Sequence, residues 1–289
     1  MRIVLTLTLL LALSASALGA SSRLGGPEIN TGEQAPAPLQ MPVADVLICV
    51  DIDANWGTFA DPTSKYSDAF EAAGAAVIAT CGVETSGGTI NFPADVTADN
   101  YPVVVVLTSE NWWSSPQNID SEDETVLASY LDSGGNLLFV GQDYMYGAHP
   151  TMGTCSGFPR DYLGMDVCHQ EVVWAASTAT VSGSSGWIFD GETVVIDSAN
   201  VFLNNPFFPD CADPVTATAG YGLYYDDAAQ DGVLIYNDTG TFKTVWSGIE
   251  LAGANTDDFE HIIDSLYDWF LGITPVEETS WGLIKSLYR

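Results

Sequence analysis

Basic residues are scarce in this 289-residue sequence, which carries seven Lys+Arg against 38 Asp+Glu and a formal net charge of −31. Anionic polymers and surfaces are bound through clusters of Lys and Arg, so nucleic acid and anionic membrane surfaces are excluded as partners. Two explanations of the acid excess stay open: solvation in a salty or extracellular setting, and the binding of divalent cations.

Several short catalytic motifs are also absent. The sequence has no GxSxG nucleophile elbow, no Walker loop, no HExxH and no GxGxxG after its first predicted strand. No CxxC or Cys/His pair has zinc-finger spacing, which argues against a structural zinc site. A catalytic pair of acids for glycoside hydrolysis stays a possible interpretation, because any two of the 38 acids could lie close together in the fold.

The N-terminus carries an apolar run at residues 3–13 after Met1-Arg2, followed by small residues up to Ala17 and Ala20. This pattern predicts a secretory signal peptide over residues 1–20, and an uncleaved membrane anchor is the alternative. Residues 21–43 are rich in Pro, Gly and Ser and predict an exposed linker. We therefore expect a secreted or cell-surface protein with no membrane span after cleavage.

Five cysteines in an exported chain leave at least one outside any intramolecular bridge. Cys49 lies in an apolar strand, where we expect a small buried side chain. Cys155, Cys168 and Cys211 fall in the loop-rich second half, and we expect a Cys155–Cys168 disulfide there.

Residues 44–142 alternate between strands and helices. The apolar stretches ADVLICVDID, AAVIATCGV, VVVVLTSE and GNLLFVGQD predict four strands, with helices in KYSDAFEAAGA and at residues 122–131. This order is typical of right-handed βαβ crossovers. It predicts an α/β fold: a flavodoxin-like, doubly wound, mainly parallel sheet.

A β-rich second half follows at residues 145–250, with short candidate strands and one compact helix at 159–163. These strands either extend the sheet, antiparallel at one edge, or cover its carboxyl end. An amphipathic helix capped by Thr256 and ended by Gly272 then closes a domain predicted over residues 44–272. Residues 273–289 are predicted to form a C-terminal amphipathic tail.

Residues 44–146, with the acidic helix that leads into YLDSGGNLLFVGQD, resemble the class I glutamine amidotransferase-like fold of secreted bacterial proteins. The resemblance implies a nucleophilic cysteine in the turn after the fourth strand. Gln142 occupies that position, and glutamine cannot attack a carbonyl, so cysteine-based amide hydrolysis is disfavoured. His149, His169 and His261 remain as candidate bases, and the sequence supports none over the others.

Acids follow three of the predicted strands where each ends. They are Asp51 and Asp53, Glu110, and Asp143. Open α/β sheets bind ligands beyond the carboxyl ends of their strands, so we expect these carboxylates on one rim. Crowded carboxylates favour a hard cation, which makes Ca²⁺ or Mg²⁺ the candidate cofactor. The alternative is that the acids cap loops and helices.

Aromatic residues offer a second constellation near Gln142. Trp56, Trp112 and Trp113 lie in loops of the same rim, and Tyr144 and Tyr146 follow the fourth strand. Exposed rings beside carboxylates suit sugar recognition, and filling space beneath long loops is the alternative.

The tail SWGLIKSLYR resembles short ends of exported bacterial proteins. It places four apolar residues on one helical face, to dock a partner or to pack on the surface: Trp281, Ile284, Leu287 and Tyr288.

These features favour a secreted, non-catalytic binding or cell-surface interaction module that recognises a glycan or a surface protein and is stabilised by a divalent cation. The alternative is an extracellular hydrolase that uses the acidic rim, with or without metal, on carbohydrate or peptide. The binding module is the preferred hypothesis because Gln142 occupies the expected nucleophile position.

Overall fold

The computed structural model describes residues 42–51, 62–82, 89–108, 119–142, 144–145, 153–169, 177–201, 209–225 and 231–273. The α-helices with both ends in these ranges are α1 (Thr63–Ala72), α2 (Ser121–Asp132), the short α3 (Phe158–Asp161) and α4 (Thr256–Leu271). The first strands are β1 (Val46–Asp51), β2 (Ile78–Gly82), β3 (Val103–Thr108), β4 (Asn136–Gly141), β5 (Gly153–Thr154) and β6 (Met165–His169). The later strands are β7 (Thr178–Gly183), β8 (Thr193–Asp197), β9 (Cys211–Pro214), β10 (Ala219–Tyr225), β11 (Gly232–Asp238) and β12 (Lys243–Ser247).

Nine strands form one mixed sheet in the order β2-β1-β3-β4-β12-β11-β10-β7-β8. The pairings from β2 to β12 are parallel, and those from β12 to β8 are antiparallel. A second, antiparallel sheet has the order β5-β6-β9. The predicted flavodoxin-like, doubly wound, mainly parallel fold is therefore wrong. Half of the main sheet is antiparallel, and few helices cover it.

The central parallel strands are apolar on both faces because both faces are covered. Every residue of β3 is buried, as parallel strands between two layers require. One face packs against α1 and α4. The other packs against α2 and residues of the three-stranded sheet.

Helix α2 begins at a capping box. The Asp120 carboxylate accepts the N–H groups of Glu122 and Asp123, and Asp123 in turn accepts the N–H of Asp120. The other carboxylate oxygen of Asp123 accepts the N–H of Ile90 at 2.8 Å, which ties the helix to the segment before β3. The buried carboxylate of Asp123 thus takes part both in the helix cap and in the contact with Ile90.

Tyr130 fixes the other end of α2 against the sheet. Its hydroxyl accepts the N–H of Asn136 at 2.9 Å and lies 3.0 Å from the Tyr101 carbonyl. A Cβ at Gly135 would lie 2.1 Å from the Tyr130 ring, so glycine is required where the chain turns into β4. Helix α2, the start of β3 and the start of β4 are therefore held at one point.

The apolar face of helix α4 packs in the core, and its cap corrects one detail of the prediction. Asn255, not Thr256, is the N-cap, with its side chain accepting the N–H of Asp258 at 3.0 Å. Gly272 ends the helix with φ 68°, a left-handed conformation that glycine adopts without strain.

Two disulfides join distant parts of the chain. Cys155 and Cys168, the pair expected from the sequence, are bridged with a Cα–Cα distance of 5.9 Å. Cys49, expected to be only a small buried side chain, is bridged to Cys81 across β1 and β2, with a Cα–Cα distance of 4.4 Å. Disulfides persist in oxidising compartments, so the two bridges indicate an exported protein. None of the helices in the described ranges has the length and apolarity needed to cross a bilayer.

Candidate functional site

The carboxyl ends of β1, β3, β4 and β12 meet at one edge of the sheet, which we call the carboxyl edge. Asp51 pairs with Thr108, and Thr108 pairs with Gly141. Ser247, the last residue of β12, lies beside Val140. Ligands of open α/β sheets bind outside such an edge, which makes it the first candidate for a site.

The side chains at the carboxyl edge are buried. Asp51 is 0% exposed and Gln142 is 2% exposed, and both carboxylate oxygens of Asp51 are shielded from solvent. Thr108 and Ser247 are buried beside them. The described part of this edge is therefore a closed polar layer.

The turn after β4 leaves little space. A Cβ at Gly141 would lie 2.7 Å from the Phe139 ring, 3.0 Å from Oγ1 of Thr108 and 3.0 Å from Cβ of Tyr144. Real Cβ atoms almost never approach so closely, so glycine is required before Gln142. The amide of Gln142 occupies the position where the amidotransferase-like resemblance implies a nucleophile.

Most other predicted members of the rim lie outside the described residues. These are Asp53, Glu110 and Asp143 of the predicted cation site, and Trp56, Trp112, Trp113 and Tyr146 of the predicted aromatic set. His149 and the tail residues Trp281, Ile284, Leu287 and Tyr288 lie outside them as well. Within the described ranges, no three His, Cys, Asp or Glu side chains group closely enough to hold a metal ion. The Ca²⁺ or Mg²⁺ site stays a prediction.

Tyr144 is described, and it belongs to the core. Its ring lies 4.6 Å from that of Phe139, and its hydroxyl donates to Oε1 of Glu124 on α2 at 2.8 Å. Burial, together with the Glu124 carboxylate, raises the pKa of Tyr144. Tyr144 therefore fills space in the core, the alternative to an exposed sugar-stacking ring.

A buried acid lies just after β12. Oε1 of Glu250 accepts the Tyr66 hydroxyl at 2.8 Å and the N–H of Ala252 at 3.0 Å. Lys65 donates to the carbonyls of Ala252 and Ala254. Burial raises the pKa of Glu250 to about 7, although its hydrogen bonds and Lys65 act in the opposite direction. This cluster joins α1 to the turn before α4, and solvent does not reach its carboxylate.

The structure also assembles an exposed polar triplet that the sequence did not predict. Oδ1 of Asp213 accepts the Tyr221 hydroxyl at 2.6 Å, and Oδ2 lies 3.3 Å from Nε2 of His169. The hydrogen bond from Tyr221 lowers the pKa of Asp213, and His169 adds to this effect. His169 and Asp213 are each about half exposed, so an imidazole positioned by an ionised carboxylate faces solvent.

The sequence contains only weak indications of the Glu250 contact and of the His169–Asp213–Tyr221 triplet. Glu250 is a single acid between apolar residues, a pattern that marks a buried polar contact without naming its partner. His169 and Asp213 are 44 positions apart and meet only because β6 pairs with β9. His261 lies on α4 and contacts Glu192 at 2.9 Å, with its side chain 54% exposed.

Comparison with known proteins gives similarities of fold. No family model and no curated protein matches the chain. A β-galactosidase from Bacillus circulans sp. alkalophilus superposes with a TM-score of 0.51 at 13% identity, covering 81% of this chain and 32% of the enzyme. An exo-β-1,4-mannosidase from Opitutaceae bacterium strain TAV5 gives 0.47 at 10% identity, with 81% and 36% covered. A carbohydrate deacetylase gives 0.48 at 11% identity, with 78% and 32% covered.

The chain thus spans about a third of the length of these three proteins. At such low identity the similarity describes the fold alone. The β-galactosidase match shows that this mixed sheet has a counterpart within part of a known glycosidase, in place of the doubly wound sheet that we predicted.

Proposed function

We propose that this exported chain is an extracellular hydrolase that acts on carbohydrate, with its substrate at the carboxyl edge. The observation that carries the proposal is the similarity of its mixed sheet, over 81% of the chain, to part of a β-galactosidase. The strong negative charge agrees with a neutral substrate in place of an anionic one.

Glycoside hydrolysis uses two carboxyl groups, one as general acid and one as base or nucleophile. Asp51 lies at the carboxyl edge, but its carboxylate is enclosed. Asp53, Glu110 and Asp143 follow β1, β3 and β4 in the sequence, which makes these three acids the candidates for the two catalytic carboxyl groups. A Ca²⁺ or Mg²⁺ ion held by the same four acids belongs to this proposal as a stabilising partner.

Release of reducing ends from neutral β-linked oligosaccharides tests the proposal. Asp53→Asn, Glu110→Gln and Asp143→Asn are compared with the wild type and with Asp99→Asn, a control at an exposed acid away from this edge. At least one edge variant should lose about 10²-fold or more of kcat/KM, while the control keeps wild-type activity. No turnover by the wild type, or equal activity in every edge variant, rules the hydrolase out.

A non-catalytic glycan-binding module is the second candidate. It is favoured by Gln142, whose amide occupies the expected nucleophile position, and by the cysteines, of which four are in disulfides and Cys211 is buried. Calorimetry beside the reducing-end assay separates the two candidates, because a binding module at the carboxyl edge releases no product and gives heat that Asp53→Asn, Glu110→Gln or Asp143→Asn reduces.

The cation is tested in the same way. Titration of Ca²⁺ and Mg²⁺ into the wild type should give heat that Asp51→Asn combined with Asp143→Asn removes. Equal heat in both proteins would place the ion elsewhere.

A further inference from the structure

The opposite end of the parallel strands carries a pocket of about 300 Å³, which we call the amino-edge pocket. It is lined by Asn136, Asp238, Thr241, Phe242, Lys243 and Phe270, with two glycines. Asn136 opens β4, and Lys243, its partner in the sheet, opens β12. Strands of roughly six residues separate this pocket from the carboxyl edge by roughly 17 Å, so the two sites are distinct.

The polar wall of the pocket is held by a tight turn between β11 and β12. Oδ1 of Asp238 accepts the N–H of Gly240 at 3.0 Å. Oγ1 of Thr239 accepts the N–H groups of Thr241 and Phe242 at 3.2 and 3.1 Å. Preorganised polar groups bind a ligand without an ordering cost.

The side chain of Lys243 is held by Trp269. Its Nζ donates to the Trp269 carbonyl at 2.5 Å and lies 5.0 Å from the centroid of the Trp269 ring. An ammonium has three N–H donors, and one of them is directed at the Trp269 carbonyl.

The charges of the pocket select the class of ligand. Lys243 and Asp238 have opposite signs, so a cation meets an ammonium and an anion meets a carboxylate. The net charge of −31 disfavours anions further. A neutral molecule with many hydroxyls satisfies both groups at once, and the largely buried rings of Phe242 and Phe270 form the apolar floor of the pocket.

An aromatic ledge continues from the pocket. Trp187 stacks on Tyr236 with centroids 4.6 Å apart and an interplanar angle of 8°. Trp269 meets Trp187 edge-on at 5.7 Å and adjoins Phe270 at 5.3 Å. Trp187, Tyr236 and Trp269 are only partly buried, so the ledge offers apolar surface to the next units of a chain held in the pocket.

We propose that the amino-edge pocket and the aromatic ledge form a binding site for a neutral oligosaccharide, separate from the carboxyl edge. The ligand class is set by the pocket itself: opposite charges, fixed hydrogen-bonding groups and adjoining aromatic rings. This ligand class does not depend on hydrolysis at the carboxyl edge.

Calorimetric titration with three neutral tetrasaccharides tests the site: β-1,4-linked galactotetraose, cellotetraose and mannotetraose. The wild type should bind at least one with a Kd of about 1 mM or lower. Thr241→Trp, which fills the pocket from an exposed position, and Asp238→Ala should each weaken binding about tenfold or more. Thr193→Trp is the matched control, because it places the same ring on the exposed edge strand β8.

Failure of the wild type to bind any of the three would overturn the proposal, as would equal binding by Thr241→Trp or an equal loss in Thr193→Trp. Tetragalacturonate, an anionic tetrasaccharide, should bind at least tenfold more weakly, and equal affinity would refute the selection by charge. Thermal unfolding of each variant confirms that the fold is intact. Reducing-end release is measured in parallel for the wild type and Thr241→Trp. Wild-type binding without turnover would refute the hydrolase proposal alone, and wild-type turnover that is equal in Thr241→Trp, without pocket binding by either protein, would refute the pocket alone.

Discussion

At the scale of single residues, the buried side chain of Glu250 leads to a specific prediction for the pH dependence of stability. Burial raises its pKa to about 7 from an ordinary value of 4.5, so the native protein holds this proton more tightly than the unfolded chain. The contribution to stability is therefore full below about pH 4.5, falls as pH rises, and is lost above about pH 7. The size of the effect is on the order of 3 kcal/mol.

Glu250→Gln should remove this dependence, because the amide oxygen still accepts from Tyr66 and Ala252 but carries no charge. The variant should gain stability relative to the wild type as the pH rises from about 4.5 to about 7.5. Denaturant midpoints at several pH values measure this difference, in which the titration of the other acids cancels. Parallel curves for the two proteins would show that Glu250 does not titrate in this range.

Tyr66→Phe offers a second test at the same contact. Loss of the hydroxyl leaves the buried Glu250 with one hydrogen bond fewer, which should cost about 1–3 kcal/mol. Because the bond from Tyr66 lowers the pKa of Glu250, its removal should shift the pH dependence to higher pH. A loss of stability without that shift would contradict the assigned hydrogen bond.

At the scale of elements, the capping box stabilises the N-terminus of α2. Asp120→Ala removes the acceptor for two N–H groups and should cost about 1 kcal/mol. Ser121→Ala, at the exposed next position, is the matched control and should cost less than half as much. Urea unfolding measures both, and equal values would show that the cap does not stabilise the helix.

Elements with strong periodicity were predictable from sequence alone. The short candidate strands of the second half include TATVSG and GVLIYND, which coincide with β7 and β11. The apolar stripe of α4 packs as expected. Strands β5, β6 and β9 were not predicted, because two to five residues of mixed polarity carry no recognisable alternation. The N-cap is Asn255 and not the predicted Thr256. Propensity cannot resolve a difference of one residue at a helix end.

The candidate site was less predictable than these elements. Asp51 and Gln142 were placed correctly at strand ends, but their burial depends on side chains that arrive from elsewhere in the fold. The amino-edge pocket could not be predicted because Asn136, Lys243 and Phe270 are far apart in sequence and meet only through the sheet and α4.

At the scale of the whole molecule, the error in fold class has a clear origin. The alternation of strands and helices ends at β4, and between β4 and α4 the described ranges hold only short helical segments such as the four-residue α3. The strand β12 then returns parallel to β4, and β11, β10, β7 and β8 add antiparallel strands. Periodicity identifies strands, whereas their direction depends on long-range pairing.

The two disulfides should contribute unequally to global stability. The Cys49–Cys81 bridge spans 32 residues and the Cys155–Cys168 bridge spans 13, so loop-closure entropy predicts about 4 and about 3 kcal/mol. Cys49→Ala/Cys81→Ala should therefore be less stable than Cys155→Ala/Cys168→Ala in guanidinium unfolding. The wild type treated with reductant serves as the reference for loss of both bridges. The reverse order would mean that the entropic account does not apply.

The central claim is that this exported protein acts on neutral carbohydrate. A crystal structure after soaking with β-1,4-linked galactotetraose tests it most directly. We expect a sugar at the carboxyl edge above Asp51 and Gln142, and another in the amino-edge pocket between Asp238 and Lys243. A fully occupied sugar bound only at some other surface, or no sugar at all from a soak that saturates binding in solution, would contradict it.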